Sequence, residues 1–224
     1  NFTGILLLAE TSKDNWFRHL SDCADGKGLP GKKSAGAWKF HRLIEPESLY
    51  AQSAENCKVI LVAGRQVITA EGLELLILQT TSSFNDGTPI RELIEVAIHE
   101  GALPVIPWGF GKWLGRRGKI LKNLMRTAGH ADFFFGDNGG RPRFWPQPKF
   151  FKIGPKRGVR ILPGSDPLPL ANEYQRVGRF GLMIPEELSR ETPSKGLRHI
   201  LSRPDTDFSP FGNLQQPFRF LQNQ

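Results

Sequence analysis

The feature of this sequence that most constrains its fold is an alternation of apolar runs and helical patterns between residues 75 and 135. Apolar runs at Leu75–Leu78, Leu103–Ile106 and Phe133–Phe135 predict buried strands. Between these runs, the spacing of apolar residues predicts helices over 89–100 and 117–128. Strands that alternate with helices in this way favour an α/β fold with a largely parallel sheet.

Outside this region the pattern is more varied. Three further apolar runs predict strands, at Ile5–Ala9, Val59–Ala63 and Val159–Leu162. The segment 13–40 is rich in Gly, Lys and Asp and has little periodicity, which predicts a long loop or flap. Scattered prolines after Pro185 predict an irregular tail with one short helix near 197–202. We therefore predict one domain over 1–184 and a C-terminal tail over 185–224 packed on it.

The cysteine content and the length of the apolar runs bear on the compartment. The chain has two cysteines, Cys23 and Cys57, which are too few for a disulfide framework and favour a reducing compartment. The apolar run Ile5–Ala9 is too short for a signal sequence or a membrane span. We therefore expect a cytoplasmic protein that has no membrane partner.

The positive charge of the chain is concentrated in one segment. The formal net charge is +8, and residues 112–160 alone contain 13 Lys and Arg against Asp132 and Asp137, a local net charge of +11. A phosphate-bearing partner would match this segment, and so would a solvated basic surface without a partner.

Gly-rich polar turns follow four of the predicted strands, at 64–66, 107–113, 136–142 and 163–167. In parallel α/β folds, ligands bind at the carboxyl ends of the strands. Gly allows the backbone to approach a ligand closely, and Asp, Asn and Arg supply ligating or anion-pairing groups. The same residues are also what ordinary turns need, but four such turns together predict a site at this rim.

These turns resemble the motifs of the polymerase and histidinol phosphatase (PHP) superfamily of metal-dependent phosphoesterases. The similar segments, in the family's order, are Gly4–Thr11, Gly64–Glu74, Ala102–Trp108, Gly136–Asn138 and Gly164–Asp166. The resemblance covers about residues 2–181. It implies a distorted (β/α) barrel of PHP type with largely parallel strands, and a metal-activated water beside a phosphate.

The sequence departs from the PHP pattern at the metal ligands. Leu8 and Glu10 stand where the family has a His pair, and Gln66, Trp108 and Leu168 replace a Glu and two His. Of the family's ligand types, Asp166 clearly persists. The resemblance therefore implies either that the metal centre is lost, with no cofactor, or that a single Mg²⁺ or Mn²⁺ is held by carboxylates. The candidate ligands are Asp166, Asp137, Glu10 and Glu74.

Three functions fit these observations. In the first, a PHP-like domain without the multinuclear metal centre binds a phosphate-containing ligand at the rim, through residues of the strand-end turns. In the second, the carboxylates support a metal-dependent phosphoesterase. In the third, the 112–160 segment binds nucleic acid. The predicted phosphate-binding residues are Lys112, Arg116, Arg141, Asn138 and Ser165, and Trp108 is predicted to stack on a base or sugar.

Overall fold

A computed structural model describes residues 4–29, 36–127, 129, 132–141, 146–167, 173–206 and 208–214. The described residues form two compact units that alternate along the chain. Unit 1 contains the described residues within 1–70, 74–104 and 188–200. Unit 2 contains those within 71–73, 105–187 and 201–224. The boundary predicted after residue 184 lies shortly before the point at which the chain returns to unit 1.

A four-stranded sheet with one helix opens unit 1. Its elements are β1 (Gly4–Leu7), α1 (Trp16–Ala24), β2 (Trp38–Arg42), β3 (Ser48–Ser53) and β4 (Lys58–Val62). The strand order is β1-β4-β3-β2, in which β1 and β4 are parallel and the other pairs are antiparallel. Buried Phe17 of α1 packs with Leu49 of β3 and Leu61 of β4 in a hydrophobic core.

The helix α1 and the first residues of β2 lie inside the segment 13–40 that we predicted to be a loop or flap, so that prediction is wrong for residues 16–24 and 38–40. Phe17, Leu20 and Ala24 recur at helical spacing and pack in the core of unit 1. This apolar stripe is short and lies among polar and charged residues, which is why periodicity did not reveal it. Residues 30–35 of the predicted loop lie outside the described residues.

A second sheet has five strands in the order β5-β6-β7-β8-β9. Its strands are β5 (Gly64–Ile68), β6 (Glu74–Leu78), β7 (Leu103–Pro107), β8 (Phe134–Asp137) and β9 (Ile161–Pro163). β5 and β6 pair antiparallel, whereas β7, β8 and β9 run parallel to one another. The remaining elements are α2 (Ile90–His99), α3 (Gly115–Thr127), α4 (Lys149–Ile153), α5 (Pro193–Ser202), two 3₁₀ helices (Pro155–Arg157 and Glu173–Arg176), and a two-stranded antiparallel sheet of β10 (Phe180–Met183) and β11 (Ser209–Gly212).

The predicted distorted (β/α) barrel with largely parallel strands is wrong. The described residues form three sheets of four, five and two strands, several pairs are antiparallel, and none of these sheets closes into a barrel. The cause is the length of the connections. Only residues 69–73 join β5 to β6, and Gly72 turns there at φ 72°, whereas a parallel crossover needs a dozen or more residues.

Several element predictions are confirmed. Strands lie at 75–78 and 103–106, α2 covers most of the predicted helix 89–100, and α5 includes the short helix predicted near 197–202. α3 buries Leu121, Leu124 and Met125 as its periodicity indicates, and it ends at Thr127.

Candidate functional site

Asp137 and Arg141 form an ion pair at the carboxyl end of β8 in unit 2. Nε and Nη2 of Arg141 donate to Oδ2 of Asp137 at 3.2 and 3.0 Å. The two side chains are only 8% and 13% exposed, so each group depends on the other for its charge partner. Asp137 also accepts a hydrogen bond from the Gly139 N–H. Asp137, which we predicted to bind a metal ion, and Arg141, which we predicted to bind phosphate, therefore bind each other.

A second set of hydrogen bonds connects the neighbouring turns of unit 2. The amide of Asn138 donates to the carbonyl oxygen of Trp108 at 3.0 Å and to Oδ2 of Asp166 at 3.3 Å. The hydroxyl of Ser165 accepts from the Gly178 N–H at 3.1 Å. Hydrogen bonds thus join five of the predicted residues in two sets, Trp108 with Asn138 and Asp166, and Asp137 with Arg141, whereas Ser165 bonds to Gly178.

The surroundings of the side chains of Trp108, Lys112 and Arg116 in unit 2 differ. Trp108 is 9% exposed and therefore offers little ring surface for stacking. The stem of Lys112 lies over Gly109, where a Cβ atom would come within 2.5 Å of its Cδ. Arg116 is exposed on α3. Residues 142–145 and 168–172, which include Leu168, lie outside the described residues.

Among the described residues, the four predicted metal ligands do not form a group that could hold a metal ion. Glu10 and Glu74 belong to unit 1, whereas Asp137 and Asp166 belong to unit 2. The Glu10 carboxylate accepts hydrogen bonds from the backbone N–H groups of Trp16 and Phe17 at the start of α1. It also faces Arg65 at 3.9 Å. In the part of the chain that the structure describes, no group of three or more His, Cys, Asp or Glu side chains could hold a metal ion.

Exposed cations of α3 and of the segment 149–157 form what we call the basic surface of unit 2. Its members are Arg116, Lys119, Lys122, Arg126, Lys149, Lys152, Lys156 and Arg157. Trp113, just before α3, contacts Phe150 and Phe151 of α4 with ring centroids 5.8 and 5.4 Å apart, so the two segments are neighbours. None of these eight cations forms an ion pair with another described residue.

Two other cations of the 112–160 segment have structural contacts. Arg117 donates to the carbonyl oxygens of Gly72 and Gly111. Arg160 donates to the carbonyls of Leu201, Arg203 and Thr206 and lies over the ring of Phe208. Partial burial lowers the pKa of Arg160 below its ordinary value. The cations of the 112–160 segment therefore include an exposed set without ion pairs among the described residues and a second set that forms hydrogen bonds within unit 2.

Unit 1 contains two open cavities that the sequence analysis did not predict. The Gln79 cavity, of about 310 Å³, is lined by Gln79, Glu47, Glu100 and Arg198 among others. The Arg65 cavity, of about 380 Å³, includes Arg18, Arg42 and Arg65. Thr81 lines both. The signal in the sequence is the polar run 79–83 directly after β6, which continues the pattern of polar groups at strand ends.

Gln79 is held in a strained backbone conformation. Its φ of 64° lies in the left-handed region, which is uncommon for a residue other than Gly, and the residue is 2% exposed. Its side chain donates to the carbonyl oxygen of Ser194 at 3.1 Å and accepts from Nε of Arg198 at 3.1 Å. Gln79 therefore fixes Arg198 at the edge of the Gln79 cavity.

Comparison with known proteins gives a fold similarity but no family. No family model matches the chain, and no curated protein matches it. The crystal structure of PsfC from Pseudomonas syringae PB-5123 is similar over 99% of this chain and 93% of that chain, with 15% sequence identity and a TM-score of 0.52. At this identity the similarity indicates a related fold and nothing about activity.

A second solved structure is more distant. PfuEndoQ, described as a lesion-specific endonuclease from Pyrococcus furiosus, is 12% identical, with a TM-score of 0.43. The match covers 72% of this chain and 42% of that chain, and it is too weak to support an inference.

Among the described residues, no helix has the length and apolar character needed to cross a membrane.

Proposed function

We propose that this protein binds the phosphate backbone of nucleic acid through the basic surface of unit 2. The observation that supports this proposal is the set of eight exposed cations without a carboxylate partner among the described residues. Lys and Arg side chains that neutralise phosphates release condensed counterions, and this release drives binding that does not depend on base sequence.

The charge pattern of α3 favours a polyanionic partner over a plain solvated helix. Arg116 and Lys119, Lys119 and Lys122, and Lys122 and Arg126 are spaced three or four residues apart, and α3 contains no acidic residue. Like charges at these spacings destabilise a helix by about 0.2–0.5 kcal/mol per pair. A bound polyanion removes this repulsion, so binding and the stability of α3 support each other.

The test is the salt dependence of oligonucleotide binding, measured by fluorescence anisotropy between roughly 50 and 300 mM salt. The variant replaces Arg116, Lys119, Lys122 and Arg126 with Gln. The matched control replaces four exposed cations of unit 1, Lys13, Lys39, Lys58 and Arg190, with Gln, so both proteins lose the same charge.

We expect the α3 variant to bind duplex DNA more weakly and to lose about 3 to 4 from the slope of log K against log salt, since each neutralised phosphate contributes about 0.9. The control variant keeps a slope close to that of the unchanged protein. Equal losses in the two variants would mean that net charge, and not the basic surface, governs binding, and would contradict the proposal. Failure of the unchanged protein to bind at low salt would do the same.

We propose a phosphate-containing small molecule at the strand-end turns of unit 2 as a second candidate. The observation in its favour is Asp166, whose φ of 33° is strained for a residue other than Gly and which accepts from Asn138. Lys112 and Arg116 are the predicted anion partners, from the strand-end turn after β7 and the start of α3. Thermal-shift measurements with nucleoside phosphates test this: ligand stabilisation that disappears in Lys112→Gln supports the candidate, and no stabilisation contradicts it.

The predicted metal-dependent phosphoesterase has less support. The residues that would hold its metal ions do not form a ligand group among the described residues. We therefore assign no catalytic step to this protein.

A further inference from the structure

The Arg65 cavity in unit 1 has an excess of positive charge. Three guanidinium groups line it, from Arg18, Arg42 and Arg65, whereas Glu10 is its single lining carboxylate among the described residues. Arg42 is paired with Asp25 through two hydrogen bonds of 2.6 and 2.7 Å. Glu10 is opposite Arg65 and also receives N–H groups of α1. Arg18 is thus left without an ion pair among the described residues.

Arg65 is held in position before any ligand arrives. Its Nε donates to the carbonyl oxygen of Ser82 at 3.3 Å, and its Nη1 donates to the carbonyl oxygen of Asp14 at 3.1 Å. Its Nη2 donates to Oδ1 of Asn15 at 3.3 Å. The side chain is 14% exposed. A guanidinium fixed by three oxygens loses little further entropy when an anion binds, and its planar donors match a carboxylate or a phosphate.

The remaining walls of the cavity limit the size and the chemistry of a ligand that could bind there. Phe17, Pro46 and Ala63 provide apolar surface, and Thr81 and Ser83 provide hydroxyl groups. A volume of about 380 Å³ is near the lower end for small-molecule sites. The ligand that suits these walls is a small anion with at least one acidic group.

We propose that the Arg65 cavity binds a small anion carrying a carboxylate or phosphate group, with Arg18 and Arg65 as its charged partners and without a metal ion. The proposal is independent of nucleic-acid binding because it concerns unit 1, whereas the basic surface lies in unit 2. Arg18 is exposed, so its side chain can turn onto a bound anion, whereas Arg65 provides the fixed donor.

The test is isothermal titration calorimetry of the full chain with succinate and with inorganic phosphate, and with succinamide as the uncharged counterpart. We expect one or both anions to bind and succinamide not to bind. Arg18→Gln should weaken anion binding by at least about tenfold, since hydrogen bonds between charged groups are the stronger class. Arg18→Lys should recover part of the loss. Arg190→Gln, which removes another exposed arginine of unit 1, should leave the affinity unchanged.

The possible binding results distinguish a carboxylate site from a phosphate site, and the Arg65 cavity from the basic surface. Binding of succinate alone assigns the cavity to carboxylates, and binding of phosphate alone assigns it to phosphates. An anion that binds Arg18→Gln as tightly as the unchanged protein overturns the proposal. So does the absence of binding by both anions. The α3 variant described above should retain anion binding; if it loses binding while Arg18→Gln keeps it, the anion occupies the basic surface and the proposal is overturned.

Discussion

Asp137 and Arg141 lie at the carboxyl end of β8 and form an ion pair that is largely shielded from water. In a site of this kind, each charge is stabilised mainly by the other, because the surrounding protein replaces the water that would solvate it. Glu10 is in a similar position, since backbone N–H groups of α1 and the guanidinium of Arg65 surround its carboxylate. Both carboxylates therefore already have partners within the protein.

Replacing Arg141 with Met should therefore destabilise the protein strongly, because it leaves the Asp137 carboxylate buried without a partner. We expect a loss of about 3–5 kcal/mol in the free energy of unfolding, measured by urea denaturation. Lys27→Met is the control, since Lys27 and Asp22 form an exposed pair at 3.2 Å. That change should cost less than about 1 kcal/mol. Equal costs for the two variants would show that the Asp137 pair is not a shielded one.

The exposed pair of Asp25 and Arg42 predicts a specific pH dependence. The hydrogen bonds from Arg42 hold the pKa of Asp25 below its ordinary value. The stabilisation from this contact is therefore complete above the ordinary pKa of an aspartate and is lost as the pH falls through the lowered pKa of Asp25. An NMR titration of the Asp25 carboxyl carbon should give a higher pKa in Arg42→Gln and an unchanged one in Lys58→Gln. A pKa that does not rise in Arg42→Gln contradicts the assignment.

At the scale of elements, the close contact between the chain after β1 and the start of β5 depends on one glycine. The Gly64 carbonyl accepts from the Glu10 N–H at 3.2 Å, and Glu10 and Arg65 form a parallel bridge. A Cβ atom at Gly64 would collide with the carbonyl oxygen of Leu8 and would lie 2.9 Å from Cδ2 of Leu78. These backbone segments can approach only because residue 64 has no side chain.

Gly64→Ala should therefore separate these segments and cost about 1–3 kcal/mol of stability, the usual range for overpacking in a well-packed region. Gly4→Ala is the matched control, because a Cβ atom at Gly4 meets no atom within 4 Å. Thermal denaturation of both variants provides the comparison. A midpoint for Gly64→Ala that equals that of Gly4→Ala would mean that the contact with Leu8 adjusts without cost.

At the scale of the whole molecule, the candidate functions are distributed over the two units. The basic surface belongs to unit 2, and the two cavities belong to unit 1. The carboxylates that the PHP resemblance implies as metal ligands are divided in the same way, since Glu10 and Glu74 are in unit 1 and Asp137 and Asp166 are in unit 2. Among the described residues, no group of three or more His, Cys, Asp or Glu side chains could hold a metal ion.

This arrangement predicts the result of metal analysis. We expect elemental analysis of the purified protein to find no stoichiometric Mg²⁺ or Mn²⁺, and we expect a chelator to leave the thermal midpoint unchanged, because the predicted ligands are paired with protein groups. Added Mn²⁺ should not raise phosphatase or phosphodiesterase activity. Two or more tightly bound metal ions per chain, with turnover that depends on them, would contradict this prediction.

The sequence by itself determined the strands at 75–78 and 103–106, the helix α2 and the concentration of positive charge between Lys112 and Arg160. These features follow from local periodicity and composition, which a single chain segment carries. The orientation of strand pairs did not follow from them. The sequence of a run such as Glu74–Leu78 does not indicate whether the strand pairs in a parallel or an antiparallel way. The connection 69–73 is too short for a parallel crossover, so β5 and β6 form an antiparallel hairpin.

The tertiary structure likewise decided which charged side chains are paired within the protein and which are exposed. Glu10 and Arg65 are far apart in the sequence, as are Arg160 and the carbonyls of residues 201–206, and each contact exists only in the folded chain. A charged group can bind a ligand only through donors or acceptors that the protein has not already used, and the number of these depends on neighbours in space. For this reason the sequence located the excess of cations, while the structure distinguished the exposed Arg116 and Arg18 from the paired Arg141.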